Sequence, residues 1–264
     1  MKRRLRLAIR TVRSILQAAV FRAMASVGLR GPSRSCQIAE LRSILTSCLG
    51  KLERGRFVEV GAYDGEKFSN TSWLADNGWR GLYVEPSPEF ARLCRLRHCL
   101  NDVVVVNAAA GEQSGDAVLM QMGSLSTMSA STFDAYQSIP WAKAQMNSGL
   151  EQKSTRVETL DSILESNNFA ADFDVLVVDV EGFEESVFRS FDLRRWRPRV
   201  MIVELCDVHD ELNTTAELAE SARRVRSQIV EAGYVEVYRD HINTVFAIAA
   251  GTAMEALPPR RKAA

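Results

Sequence analysis

From Arg56 onward, apolar residues alternate between short continuous runs and stripes at helical spacing. Runs such as Val103–Val106 and Val175–Val178 suit strands buried on both faces, as in a parallel sheet. The pattern predicts strands near 57–60, 81–85, 103–108, 174–179 and 200–205. It predicts helices near 69–78, 88–98, 158–167, 183–190 and 214–232. The last is the best marked, with Asn213 or Thr214 as cap and Leu218, Ala222, Val225, Ile229 and Ala232 on one face. Two more strands, 234–239 and 243–248, joined through Asp240-His241-Ile242, read as an antiparallel pair. The predicted fold is α/β: a Rossmann-like, doubly wound, mostly parallel seven-stranded sheet with one reversed C-terminal edge strand.

Ahead of this unit, Leu5, Ile9, Val12, Leu16, Ala19 and Val20 recur at helical spacing, with Arg6, Arg10 and Arg13 on another face. Such a helix either docks on a membrane surface or a partner, or packs on the domain with its basic face in water. Gly28-Leu29-Arg30-Gly31-Pro32-Ser33 reads as a linker separating it from the body. A second helix is expected over Ile38–Leu52. The chain thus divides into a basic N-terminal helix and linker (1–34), a main domain (35–250) and a disordered C-terminal tail (251–264). Residues 120–152 break the rhythm. This Ser- and Met-rich insert reads either as a lid over an acceptor site, carrying Tyr136, Trp141 and Met146, or as a solvated loop.

Charge sharpens this division. Thirty-three Lys/Arg balance thirty-three Asp/Glu, but residues 1–34 hold nine basic residues and no acid. The remainder carries 24 against 33, a net of −9, which argues against nucleic acid as a ligand. Five cysteines without a Cys-x-x-Cys pair make a metal cluster or disulfide framework a poor expectation and point to a reducing compartment. No window approaches a membrane span. Residues 14–21 imitate a signal-peptide core, but the flanking arginines interrupt it. The expected location is the cytoplasm, with peripheral contact at the inner membrane surface.

Phe57-Val58-Glu59-Val60-Gly61-Ala62-Tyr63-Asp64-Gly65 reads as a buried strand entering a glycine turn. A dinucleotide site would show Gly-x-Gly-x-x-Gly, and Glu59, Asp64 and Glu66 would repel its pyrophosphate. A cationic ligand fits better, and S-adenosylmethionine carries a sulfonium and an ammonium. Glu85 ends the next strand, 20 residues past Gly65, where a carboxylate accepts bonds from ribose hydroxyls. Pro86-Ser87-Pro88 then stops the strand and starts a helix, with Ser87 as N-cap.

With these residues in place, the chain resembles the FkbM family of S-adenosylmethionine-dependent methyltransferases over about 57–206. The motifs run in order: Phe57–Gly65; Ser69-Asn70-Thr71 with Gly78-Trp79-Arg80-Gly81; Tyr83-Val84-Glu85-Pro86; Val106-Asn107-Ala108-Ala109; Val157-Glu158-Thr159-Leu160-Asp161; Val177-Val178-Asp179-Val180-Glu181-Gly182; and Val203-Glu204-Leu205. Members of that family mostly O-methylate sugars or polyketides, so the resemblance implies a hydroxyl acceptor, on a sugar, glycolipid or other secondary metabolite, without naming it. It places Glu59, Gly61, Ala62 and Gly65 around the methionine end of the cofactor, Glu85 at the ribose, and Asn107 and Ala108 near the adenine, with Pro86 also among the cofactor-binding residues. Asn70 and Thr71 open the first helix, at the cofactor or simply as caps.

A hydroxyl acceptor needs a general base or a metal that lowers its pKa. Asp179, Glu181 and Glu204 end strands whose C-termini face the ligand crevice. Their mutual repulsion calls for compensation, by Mg²⁺ or by the cofactor's own positive charge. His209 is the candidate base in a loop that also holds Asp207 and Asp210. His98, His241 and Asp161 read as structural, as do Glu184 and Glu185 at a helix start. Two other readings compete: a non-catalytic adaptor that keeps the fold for protein or membrane contact, and an NAD-dependent oxidoreductase, which the charge and glycine pattern disfavour.

Overall fold

A computed structural model of the chain describes residues 2–147, 149–208, 212 and 215–248. Ten strands and ten α-helices occur among the described residues. The N-terminal helices are α1 (Lys2–Ser26) and α2 (Leu41–Leu49). The nucleotide-binding half follows as β1 (Arg56–Val60), α3 (Ser72–Asp76), β2 (Arg80–Val84), α4 (Pro88–Arg97), β3 (Val103–Val106) and β4 (Ala109–Ala110). Next come β5 (Gly115–Gln121), α5 (Ala130–Ser138), α6 (Pro140–Asn147), β6 (Glu151–Glu158) and α7 (Leu160–Ser166). The last part is β7 (Val175–Val178), α8 (Glu184–Arg189), α9 (Leu193–Trp196), β8 (Val200–Glu204), α10 (Ala216–Glu231), β9 (Tyr234–Arg239) and β10 (Asn243–Ile248).

Seven strands form one sheet in the order β3-β2-β1-β7-β8-β10-β9. All pairs from β3 to β8 are parallel, and β10 runs antiparallel to both neighbours. The reversed strand is therefore not at the edge, as the sequence suggested. After β8 and α10 the chain lays β9 along the outside and turns β10 back into the gap, which completes the ladder on both sides of a strand buried at Val245 and Phe246. Side-chain alternation splits the core between two faces. Val58, Val60, Leu176 and Val178 point toward α7, α8, α9 and α10, whereas Phe57, Tyr83, Val175 and Val177 face α2, α3 and α4.

A second, three-stranded sheet, β4-β6-β5, was not foreseen. β6 reads Glu-Gln-Lys-Ser-Thr-Arg-Val-Glu and buries only Thr155 and Val157, so it offers no apolar run. The 120–152 insert is the excursion between β5 and β6. Its helices α5 and α6 bury Tyr136, Ile139, Ala142 and Met146 in a cluster with Leu212 and Leu218, so it is a packed subdomain and not a solvated loop.

The stretch 28–33 differs from a linker. Arg30 within it is only 4% exposed and bonds Asp76 at 2.7 Å and Glu66 at 3.0 Å, while Arg97 from α4 holds the same two carboxylates at 2.6 and 2.8 Å. Burial by itself would raise the Asp76 carboxyl, but the two guanidiniums hold it below its ordinary value. A non-local ion network of this kind has no periodicity to reveal it. It fastens α1 onto α3 and α4. The tail 251–264 lies outside the described residues.

Candidate active site

The chain leaves β1 for β2 on one side and reaches β7 on the other, so the crevice opens where β1 and β7 end. Gly61 and Asp179 meet there. Gly61 has φ of +92°, and a Cβ on it would fall 1.7 Å from the Asp179 carbonyl oxygen. Only glycine permits that approach. A cavity of about 330 Å³ fills the crevice. Among the described residues, five carboxylates border it (Glu59, Glu85, Asp179, Glu181 and Glu204), against Lys67 as the single Lys or Arg.

Glu59 lies on the α3 side of β1, where Ser69 Oγ donates to it at 2.8 Å and Thr71 Oγ1 donates as well. Burial pushes its carboxyl up to about 7, opposed by these two hydroxyls and aided by nearby Asp179. Glu85, at the end of β2, accepts the Tyr63 N–H on one oxygen and the Ser87 N–H on the other, both at 2.8 Å. Burial raises it to about 8. Two backbone donors thus fix the carboxylate in place before any ligand arrives.

At the end of β7 the backbone twists sharply. Glu181 adopts φ of +55°, a left-handed conformation that costs a non-glycine residue about 1–2 kcal/mol. Tyr136 donates its hydroxyl to the Glu181 carboxylate, and Thr127 Oγ1 donates to its carbonyl at 2.7 Å. The insert thereby clamps the strained residue. Gly182 follows at φ +87°, where a Cβ would lie 1.8 Å from Thr132 Oγ1 of α5. Glu184, buried, accepts the Val180 and Gly182 N–H groups at 3.1 Å each, and desolvation lifts it to about 7. It caps this turn and is more than a helix-dipole partner.

Carboxylate oxygens of Asp179, Glu181 and Glu204 lie within 4.8 Å of one another. Burial first, then the charge of Asp179, pushes both Glu181 and Glu204 well above the ordinary carboxylate range. Three like charges so placed share protons or gather around a cation.

The structure gathers Glu59, Gly61, Ala62, Glu85, Pro86, Ala108, Asp179, Glu181 and Glu204 on one cavity wall or another. Four predicted residues stand behind it. Gly65 packs under α4, where a Cβ would meet Cys94 Sγ at 2.8 Å. Thr71 supports Glu59, and Asn107 Nδ2 donates to the Glu85 and Pro86 carbonyls at 2.9 and 3.0 Å. Asn70 Nδ2 donates to Gln37 at 2.9 Å, and Gln37 in turn donates to Asp179 at 2.9 Å. Thr71 occupies the cap position of α3 but turns its hydroxyl to Glu59, and the Ser72 N–H is taken instead by Ser69 Oγ at 3.0 Å; Asn70 does not cap. Ser87 occupies the cap position of α4 but turns its hydroxyl to Gln121.

Other acids of the sequence reading are engaged elsewhere. Glu66 belongs to the Arg30–Arg97 network, Asp207 pairs with Arg226 at 2.9 Å, and Asp161 accepts the Trp196 indole N–H at 2.8 Å. Asp64 closes its own turn by accepting the Lys67 N–H at 2.8 Å. His98 is buried between Tyr83 and the Gly65 carbonyl, and burial lowers it to about 3, so it is a neutral packing element. His209 and Asp210 lie outside the described residues. Of the insert's three named residues, Tyr136 and Trp141 border the cavity and Met146 is packed behind them. Gln37 was missed, because a single polar residue before an apolar stripe carries no motif.

A seven-stranded sheet whose order, counted within the sheet, is 3-2-1-4-5-7-6, with acids at the ends of its first, second and fourth strands, is the fold of a class I methyltransferase. The chain belongs to the FkbM methyltransferase family: the Methyltransferase FkbM domain matches residues 59–236. No curated protein matches it in sequence. Among solved structures it is similar to an O-methyltransferase from Bacillus cereus in complex with SAH, at 17% identity over 89% of this chain and 90% of that one, with a TM-score of 0.45. An SAH-bound methyltransferase of Podospora anserina is similar at 9% identity over 88% of each chain, TM-score 0.46. Aeropyrum pernix fibrillarin, with natively bound S-adenosyl-L-methionine, is similar at 14% identity over 78% and 74%, TM-score 0.41.

Proposed function

We propose that this methyltransferase moves the methyl group of S-adenosylmethionine to a hydroxyl oxygen of a small-molecule or carbohydrate acceptor. One observation carries the cofactor assignment: among the described residues five carboxylates and a single lysine surround the cavity, an environment that favours a ligand with a cationic centre over a pyrophosphate. Glu59 faces the ammonium and Glu85 the ribose diol, with Ala108 and Pro86 beside the nucleoside. The acceptor lies toward the insert, whose Tyr136 and Trp141 offer a partly aromatic wall suited to the apolar face of a sugar or polyketide ring.

In the transfer the acceptor oxygen forms its bond to the methyl carbon as the carbon–sulfur bond breaks, and the sulfonium becomes a neutral thioether. The hydroxyl proton passes to the Asp179–Glu181–Glu204 group. Members with raised pKa are strong bases once ionised, which matches the demand of a weakly acidic alcohol. Alignment of oxygen, carbon and sulfur supplies much of the remaining rate. The same three oxygens are hard donors of the type Mg²⁺ takes, and a bound Mg²⁺ would lower the hydroxyl's pKa.

Calorimetry with S-adenosylmethionine, followed by a screen of hydroxyl acceptors with Mg²⁺ and with EDTA, tests the assignment. Absence of any cofactor binding would overturn it in favour of the adaptor reading. Activity that persists in EDTA would assign the proton to the carboxylates alone.

A further inference from the structure

Helix α1 is mounted with its apolar side outward. The residues it turns to the body are Arg10, Ser14, Ala18 and Phe21, at i, i+4, i+8 and i+11. Ser14 and Ala18 are buried, Arg10 donates to the Tyr63 hydroxyl at 3.0 Å, and Phe21 lies beneath the Arg30 and Arg97 guanidiniums. The opposite stripe, Leu5, Ile9, Val12, Leu16 and Val20, is 52–62% exposed. The main apolar stripe of the helix therefore contributes little to fastening it, which falls to Arg10, Ser14, Ala18 and Phe21. The outward stripe forms a continuous apolar patch edged by Arg13 and Gln17.

We propose that this face docks on an anionic phospholipid bilayer. Charge selects the occupant. Residues 1–34 contain nine Lys/Arg and no acid; Arg10, Arg22 and Arg30 are engaged with the body, and the sequence of α1 still carries Lys2, Arg3, Arg4, Arg6 and Arg13, so a second copy of the helix would set like charge against like. An anionic lipid surface supplies an apolar phase for the leucine–isoleucine–valine stripe and phosphates for the basic residues around it. Among the described residues no helix is long and apolar enough to cross a membrane, so α1 lies in the plane of the interface. Arg10 also sits over the rings of Tyr63 and Phe90, both of which border the cavity. Docking therefore holds a wall of the cavity next to the lipid surface. If the proposed methyl transfer is correct, an acceptor anchored in lipid can reach it by lateral diffusion; this last step rests on that reading.

The test is co-sedimentation of the full chain with phosphatidylcholine vesicles, with and without phosphatidylglycerol. A Val12→Asp/Leu16→Asp variant is run in parallel, since both residues are exposed and their replacement leaves the docked face intact. The wild-type chain is expected to pellet with the phosphatidylglycerol vesicles, less so at high salt, and the variant to lose about tenfold or more of that partitioning. Unchanged thermal unfolding and unchanged S-adenosylhomocysteine binding by the variant separate lost docking from lost folding. Wild-type chain left in the supernatant, or a variant that pellets equally well, overturns the proposal. So does a dimer in light scattering that the variant converts to monomer, with vesicle binding in neither form. Docking with no cofactor affinity would retain the surface and remove only the methyl-transfer reading.

Discussion

Replacing Glu85 with Gln isolates the ribose contact proposed for the cofactor. In the structure its two oxygens each accept one backbone N–H, from Tyr63 and Ser87, at 2.8 Å, and the carboxylate borders the cavity with its remaining lone pairs. The amide keeps the shape but puts a donor where one of those N–H groups points. Whichever way it flips, one oxygen is left to serve both a backbone donor and the ribose. Hydrogen bonds to a charged acceptor contribute about 1.5–3 kcal/mol, against about 0.5–1.5 for neutral pairs. Loss of one ribose bond and weakening of the other removes about 1.5–3 kcal/mol, or about 10- to 150-fold in Kd. The assay is calorimetric titration at pH 8.5 with S-adenosylmethionine and S-adenosylhomocysteine, which share the ribose and should suffer equally. At pH 6 the gap should narrow, because burial lifts the wild-type carboxyl to about 8 and its ionised form must first be regenerated. A loss under about threefold at pH 8.5, below 0.7 kcal/mol, refutes the ribose assignment. A loss confined to the sulfonium form would move Glu85 to the methyl-donor end.

Gly61→Ala should cost more than about 3 kcal/mol of unfolding free energy in denaturant titration, since its Cβ overlaps the Asp179 carbonyl at 1.7 Å and its φ is left-handed; a loss under about 1 kcal/mol would mean the β1–β7 junction relaxes freely. Stability should fall between pH 6.5 and 8. Glu59 and Glu184 near 7 and Glu85 near 8 lie above their unfolded values, so the folded state binds more protons there and loses stability as pH rises through that window. His98, lowered to about 3, has the opposite slope but acts only below about 6.5; a denaturation midpoint that is flat or rising from 6.5 to 8 contradicts the burial of these acids. Tyr136→Phe should leave S-adenosylhomocysteine affinity within about twofold and lower turnover by about tenfold or more, because it unclamps the left-handed Glu181 without touching the cofactor wall; equal turnover by the two proteins would remove the clamp from the mechanism. Arg30→Met should cost about 3–5 kcal/mol and open α1 to trypsin, since Asp76 and Glu66 lose one of their two guanidiniums; an unchanged digestion pattern would show that α1 is held by other contacts.

What the sequence discloses here follows from how far each interaction reaches along the chain. The strands of the large sheet are legible because Val58, Val84, Val177 and Val203 sit in runs buried on both sides, and the acids at their ends are legible because a strand end is a fixed place in this fold. β5 and β6 are not, since one face of that small sheet is solvated and β6 is mostly polar. Glu66 is the instructive error. By spacing it belongs to the cofactor turn, but Arg30 and Arg97, 36 and 31 residues away, draw it into their buried ion network. The same pair of arginines determines how α1 is seated. The hydrophobic stripe of residues 5–20 showed that this helix has an apolar side, and ordinarily that side would be packed inward. Which side meets the body is decided instead by Arg10 on Tyr63 and by Phe21 under Arg30 and Arg97, contacts that join residues 53, 9 and 76 apart. A local pattern can state that a helix is amphipathic; only the ion network at its base turns the apolar side toward solvent, and so makes that surface available for binding next to the cavity.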